Sequence, residues 1–72
     1  KANVESLRFE AMLLSEMETR SVLAILENLP EDRKVDLLAS MDQDTVIAIL
    51  QSMDPQEAAA LLPKVSSKME GR

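Results

Sequence analysis

The chain has 72 residues, a formal net charge of −5, no cysteine, no histidine and a single aromatic residue. A chain of this length forms one small domain, which buries about 60% of the surface that its unfolded form exposes. Disulfide bonds and thiolate zinc sites are excluded, and the acidic charge disfavours binding to nucleic acid. Apolar runs such as 22–26 are much shorter than the roughly 20 residues that cross a bilayer, so we expect no membrane insertion by this segment.

Residues 1–17 form the first predicted unit. It contains a helix over 3–16 that is predicted to be longer than the others. Its apolar residues also fit the a and d positions of two heptads, which is typical of the end of a coiled coil. Our candidates for binding a protein partner are Val4, Leu7, Ala11, Leu14 and Met17. Two interpretations stay open, because this strip serves equally for packing within the chain and for forming a homodimer.

Residues 18–65 are organised by a 12-residue repeat. One leucine recurs in each period, and a second apolar residue, most often methionine, follows it three positions later. The leucine series is Leu14, Leu26, Leu38, Leu50 and Leu62. Apolar residues within one period fall at i, i+3, i+4 and i+7, which gives a helix a single apolar stripe. We therefore predict four more helices, over 19–28, 31–40, 43–52 and 55–62.

The corners between these helices contain residues that begin a helix. Asp42 is the natural N-cap of the fourth helix, and Asp44 adds negative charge to its first turn. Asp54 and Pro55 place a capping side chain and a proline at the start of the fifth helix. Carboxylates at corners also suit magnesium, so Asp42, Asp44 and Asp54 form an alternative metal site, with helix capping as the favoured interpretation.

Pro63 predicts that the last helix ends near Leu62, because proline has no backbone N–H to donate and restricts the residue before it. Residues 66–72 are then either a frayed tail or the beginning of a further unit that is cut off. Lys1 stands where an initiator methionine is expected, which indicates a fragment of a larger protein.

The complete pattern predicts an all-α fold, a right-handed array of about five short helices. Isolated helices of about ten residues are marginally stable in water, so the units must stack on one another. Catalysis is not expected, because no nucleophilic side chain has an adjacent base in the sequence. Gly71 is the only glycine, which excludes a glycine-rich phosphate loop.

Three segments carry a resemblance to a known family: 26–32, 38–42 and 48–59, which read LENLPED, LASMD and AILQSMDPQEAA. They resemble the intracellular N domain of MgtE-type magnesium transporters. The short-helix repeat is also similar to parts of the flagellar motor switch protein FliG and to MotE-like flagellar chaperones. The resemblance covers roughly residues 18–62 and implies a cytosolic, non-catalytic accessory domain, which in the transporters regulates the pore in response to magnesium. It carries over no binding residue.

Two hypotheses about function follow. The first is a non-enzymatic module for protein–protein interaction, of scaffold or chaperone type, that binds a protein partner or a second copy of itself and needs no cofactor. The alternative is a cytosolic regulatory domain of a transporter that responds to magnesium through Asp42, Asp44 and Asp54. Both hypotheses place the chain in the cytoplasm, either free or as the cytosolic part of a membrane-associated protein.

Overall fold

A computed structural model describes the backbone of residues 4–70 and the side chains of residues 5–68. Five helices follow one another: α1 Val4–Ser15, α2 Thr19–Glu27, α3 Glu31–Ser40, α4 Gln43–Ser52 and α5 Pro55–Glu70. The part of the chain described contains no strand, so the predicted all-α class with about five helices is confirmed. Within 4–70 no helix is both long and apolar enough to span a bilayer.

The helix bounds follow the sequence closely up to α4. Those of α3 and α4 coincide with the predicted ones, and α2 ends one residue earlier than predicted. α1 ends at Ser15, and its predicted start at residue 3 lies outside the described residues. With 12 residues α1 is longer than α2, α3 and α4, but α5, with 16 residues, is the longest helix described.

The same backbone hydrogen bonds recur at the four corners. At the end of each helix an amide donates to the carbonyl three residues earlier, and the donors are Met17, Leu29, Met41 and Met53. At the start of the next helix a carbonyl accepts from the amide four residues later, and the acceptors are Glu18, Pro30, Asp42 and Asp54. Each corner therefore ends one helix and begins the next with the same pair of main-chain bonds.

These corners are tight, yet they need no glycine. The N-cap residues have extended backbone, with φ and ψ of −62° and 143° at Glu18, −61° and 155° at Pro30, and −70° and 158° at Asp42. Among residues 4–70 none has a positive φ. Pro30 suits its corner because its ring fixes φ near −65° and an N-cap needs no amide hydrogen bond. A chain with one glycine can therefore build all four corners.

The predicted end of the last helix near Leu62 is wrong. α5 continues through Pro63 and ends at Glu70. Residues 66–70, for which a frayed tail or a further unit was expected, therefore belong to the same helix, while 71–72 lie outside the described residues.

Packing explains how α5 tolerates Pro63. A proline inside a helix removes one hydrogen bond, here the bond to the carbonyl of Ala59, and costs about 3 kcal/mol. Leu61 and Val65, on either side of the proline and one turn apart, are only 5% and 3% exposed. Ending the helix at Leu62 would withdraw Val65 from the core, and its burial offsets part of the cost of the proline.

α3 lies at the centre of the array. It packs against both α1 and α5, and α4 packs against α2 and α5, so that alternate helices of the chain are neighbours. α3 also contributes more buried side chains than any other helix described: Val35, Leu37, Leu38 and Ala39. The core is therefore built around a ten-residue helix that has neighbours on two sides.

The face that each helix buries changes along the chain. Each period contains two consecutive apolar residues. In α1 and α2 the second of the two is buried, in α3 both are buried, and in α4 and α5 the first is buried. The buried members are Leu14, Leu26, Leu37, Leu38, Ile49 and Leu61. Consecutive residues on a helix point about 100° apart, so the core-facing side rotates by about this angle between α2 and α4.

Three ion pairs attach α3 to its two neighbours. They are Arg33–Glu10 between α3 and α1, and Lys64–Glu31 and Lys68–Asp36 between α5 and α3. Exposed ion pairs of this kind contribute little to stability, because water and salt screen them. They orient α1 and α5 on α3, and the buried apolar side chains hold the fold together.

We expect Leu38→Ala to lower the free energy of unfolding by about 2–5 kcal/mol, because it leaves a cavity beneath a side chain that is 0% exposed. Leu62→Ala removes the same atoms from a position that is 52% exposed, and it should cost about 0.5 kcal/mol or less. Urea unfolding followed by circular dichroism measures both. If Leu38→Ala leaves too little folded protein, Ile49→Val should still show a loss of about 0.5–1.5 kcal/mol. Equal losses at Leu38 and Leu62 would contradict this core.

We expect Pro63→Ala to raise the free energy of unfolding, by up to about 3 kcal/mol, because alanine restores the amide that the helix lacks. The helical content measured by circular dichroism should hardly change, since α5 already extends to Glu70. A clear increase in helical content would show instead that the wild-type helix ends near Leu62.

Candidate interaction surface

The structure directs most of the predicted partner-binding strip of α1 into the core. Ala11 and Leu14 are 2% and 7% exposed, and Leu7 is half-buried and packs against the same cluster. Met17 is 41% exposed, and the side chain of Val4 lies outside the described residues. Of the two interpretations left open by the sequence, packing within the chain therefore accounts for Leu7, Ala11 and Leu14, because α3 covers this side of α1.

A second apolar strip runs along the opposite side of α1. We call it the outer strip, and it consists of Phe9, Met12, Leu13 and Met17, which are 56%, 53%, 48% and 41% exposed. At 3.6 residues per turn, Phe9, Met12 and Leu13 lie next to one another on α1. Met17 lies two residues beyond the end of α1, in the corner that leads to α2. These are four of the seven large apolar side chains that are exposed among the described residues.

Of the outer strip only Met17 is among the residues predicted from the sequence, because α1 has two apolar stripes. Periodicity finds both, but only the position of α3 decides which of them is covered. The methionine that ends each period shows the same ambiguity: Met41 is 6% exposed and Met53 packs against the core, whereas Met17 is exposed. The clue available in the sequence was Phe9, a large aromatic residue that the chosen stripe did not include.

Two clefts of about 220 Å³ each have one methionine of the outer strip in their lining. One lies between α1 and the corner that joins α3 to α4, and the other lies between the end of α1, α2 and α4. Met12 lines the first together with Arg8 and Asp42. Met17 lines the second together with Asp44. Each methionine of the outer strip therefore shares a cleft with a carboxylate from the beginning of α4.

Asp42 caps α4, as the sequence predicts. Its Oδ2 accepts a hydrogen bond from the amide of Thr45 at 3.1 Å, and its Oδ1 accepts one from the Thr45 hydroxyl at 2.7 Å. Both hydrogen bonds favour the charged form and lower the pKa of Asp42 below its usual range. The bond from the Thr45 hydroxyl has the larger effect and the bond from the Thr45 amide the smaller one. The carboxylate is exposed and stays negative at neutral pH.

The alternative magnesium site of Asp42, Asp44 and Asp54 stays a prediction, and the structure places its residues at the beginnings of two helices. Asp42 uses its oxygens to cap α4, and Asp44 and Asp54 are exposed at the beginnings of α4 and α5. Magnesium needs oxygen ligands that converge on one octahedral centre. Among the described residues no three acidic side chains come close enough together to hold a metal ion.

An open groove of about 690 Å³ lies between α3 and α5. Its walls carry opposite charges, Glu31 and Asp36 on α3 and Lys64 and Lys68 on α5, and these are paired across it. Nζ of Lys68 lies 2.8 Å from Oδ1 of Asp36, and this hydrogen bond and charge raise the pKa of Lys68. These two ion pairs join the helices across the groove, and Asp32, which also lines it, adds a third carboxylate.

Stacked helices joined by tight, extended corners define a small all-α domain. Residues 5–70 match the family model described as the MgtE intracellular N domain, and the chain belongs to that family. The resemblance found in residues 18–62 is thereby confirmed and extends to α1 and to the whole of α5. No curated protein and no solved structure gives a significant match.

The cap of α4 should make stability depend on pH in the acidic range. The pKa of Asp42 is lower in the folded chain than the value of about 3.9 in an unfolded one. The stabilisation is therefore complete above pH 4 or so and is lost as the pH falls through the lower, folded pKa. We expect Asp42→Asn to reduce the drop in thermal unfolding midpoint between about pH 6 and about pH 3, since asparagine caps without titrating there.

The control is Asp44→Asn, which removes a charge from the first turn of the same helix but leaves both Thr45 bonds intact. The thermal unfolding midpoint of Asp44→Asn should fall more between about pH 6 and about pH 3 than that of Asp42→Asn, and so remain closer to the behaviour of the wild type. An identical loss of pH dependence in the two variants would show that the general charge at this helix end, rather than the Asp42 cap, is responsible.

Proposed function

We propose that this chain is a non-enzymatic protein-interaction module of scaffold or chaperone type, which binds its partner on the outer strip of α1. The observation that carries the proposal is the exposure of Phe9, Met12 and Leu13 on one side of α1 and of Met17 just beyond its end. Helices bind other proteins through apolar residues at such spacing. Large exposed apolar patches on small proteins are commonly interaction sites, because leaving them in water is unfavourable.

Family membership supports the rest of the proposal. The family is described as an intracellular domain, so we place the chain in the cytoplasm, as a part of a larger protein that acts on or beside other polypeptides. The absence of catalysis is also part of the proposal, and it is supported by the groove between α3 and α5, where Lys64 and Lys68 are paired with carboxylates of α3.

The alternative function is a magnesium-responsive regulatory domain of a transporter, which the family name supports. Asp42, Asp44 and Asp54 would then need ligands from another domain to complete a site. Light scattering over a concentration series, with and without millimolar magnesium, separates the two functions. A mass or shape that changes only with magnesium supports regulation, whereas a dimer that ignores magnesium and is broken by Leu13→Asp supports interaction through the outer strip.

The interaction proposal predicts that helical peptides selected from an unbiased display library will bind at the outer strip. Leu13→Asp should weaken these peptides by at least about tenfold, which corresponds to 1.4 kcal/mol, because it places a charge in the apolar contact. Leu62→Asp is the matched control, since Leu62 is 52% exposed and Leu13 is 48% exposed. It should leave the affinities unchanged.

Circular dichroism of both variants would establish that each one is folded. The proposal fails if no peptide is selected, or if the selected peptides bind Leu13→Asp as tightly as they bind Leu62→Asp.

A further inference from the structure

The outer strip has the composition of a surface that adapts to its ligand. It contains the only aromatic residue of the chain, Phe9, and two methionines, Met12 and Met17. Methionine is unbranched and polarisable, so it adjusts to apolar surfaces of different shapes. These properties suit a helix laid along α1, but they do not by themselves choose one.

The charges that border the strip make this choice. Asp42 and Asp44 line the two clefts beside Met12 and Met17, and both carboxylates are exposed. Glu16 and Glu18, on either side of Met17 in sequence, are exposed as well. These four carboxylates outnumber the basic residues nearby, which are Arg8 in the cleft of Met12 and the exposed Arg20 three residues after Met17.

A second copy of the chain is a poor occupant of such a surface. Facing two copies would bring acidic borders together, and each chain has a net charge of −5. Like charges across an interface are repulsive, whereas opposite charges speed up association and select the partner. The border therefore favours a partner with positive charge.

We propose that the outer strip binds an amphipathic helix of another protein, with apolar residues at i, i+3, i+4 and i+7 and with lysine or arginine along the edge that faces Asp42 and Asp44. This inference rests on the proposed function and adds the chemistry of the partner. Long basic side chains reach into the two clefts toward Asp42 and Asp44, while their apolar stems cover Met12 and Met17.

The test uses three synthetic helical peptides of about 20 residues that share one apolar face and differ only in the flanking residues, which are lysine, glutamine or glutamate. Fluorescence anisotropy measures their binding to the whole chain. We expect the lysine peptide to bind at least about tenfold more tightly than the glutamate peptide. Raising the salt to about 1 M should remove most of this difference, because the Debye length falls to about 3 Å.

Variants of the chain then separate charge from apolar contact. The double change Asp42→Asn and Asp44→Asn should weaken the lysine peptide severalfold and leave the glutamine peptide unchanged. Asparagine at position 42 still caps α4, so the fold is kept. Leu13→Asp should weaken all three peptides, and Leu62→Asp should weaken none of them.

Equal binding of the lysine and glutamate peptides would overturn this inference, and so would an unchanged affinity of the lysine peptide for the double variant. If the lysine and glutamate peptides bound the wild-type chain equally and both failed to bind Leu13→Asp, the chain would remain an interaction module with a partner of other chemistry. Failure of all three peptides also overturns the inference, and the unbiased selection then decides whether the proposed function fails with it. A dimer broken by Leu13→Asp would assign the strip to a second copy instead.

Discussion

Helices α2, α3 and α4 have nine or ten residues each, and helices this short are marginally stable in water without neighbours. Their stability comes from burial, and α3 is buried on two sides because it lies between α1 and α5. Leu38, at 0% exposed, and Leu37, at 2%, are both buried although they occupy consecutive positions of one helix. α1 and α5 pack on this central helix, and α2 and α5 pack on α4.

The same arrangement leaves part of α1 without a neighbour. α1 covers one side of α3, with Leu7, Ala11 and Leu14 turned inward and Glu10 paired with Arg33. Its outer strip then faces solvent, although it is as apolar as the buried side. A helix with apolar residues on two sides satisfies only one of them at the end of an array, and this is the physical basis for proposing a partner there.

The aspartates show how one residue can serve structure and recognition together. Asp42 begins α4 through its two bonds with Thr45, which also keep its carboxylate charged. Because α4 begins beside the end of α1, that charge lies in a cleft with Met12. Helix capping therefore sets the position of a carboxylate that the inferred partner would recognise.

The amino-acid sequence by itself determined the class of the fold, the bounds of α2 to α4 to within one residue, and the cap at Asp42. These features depend on periodicity and on capping bonds that span no more than about one helical turn, so local sequence is sufficient. Only the tertiary structure decided that α5 passes through Pro63, because the burial of Val65 depends on α3 and its neighbours. It likewise decided which side of α1 is exposed, since the helix that covers the other side comes more than 20 residues later, as the Glu10–Arg33 pair shows.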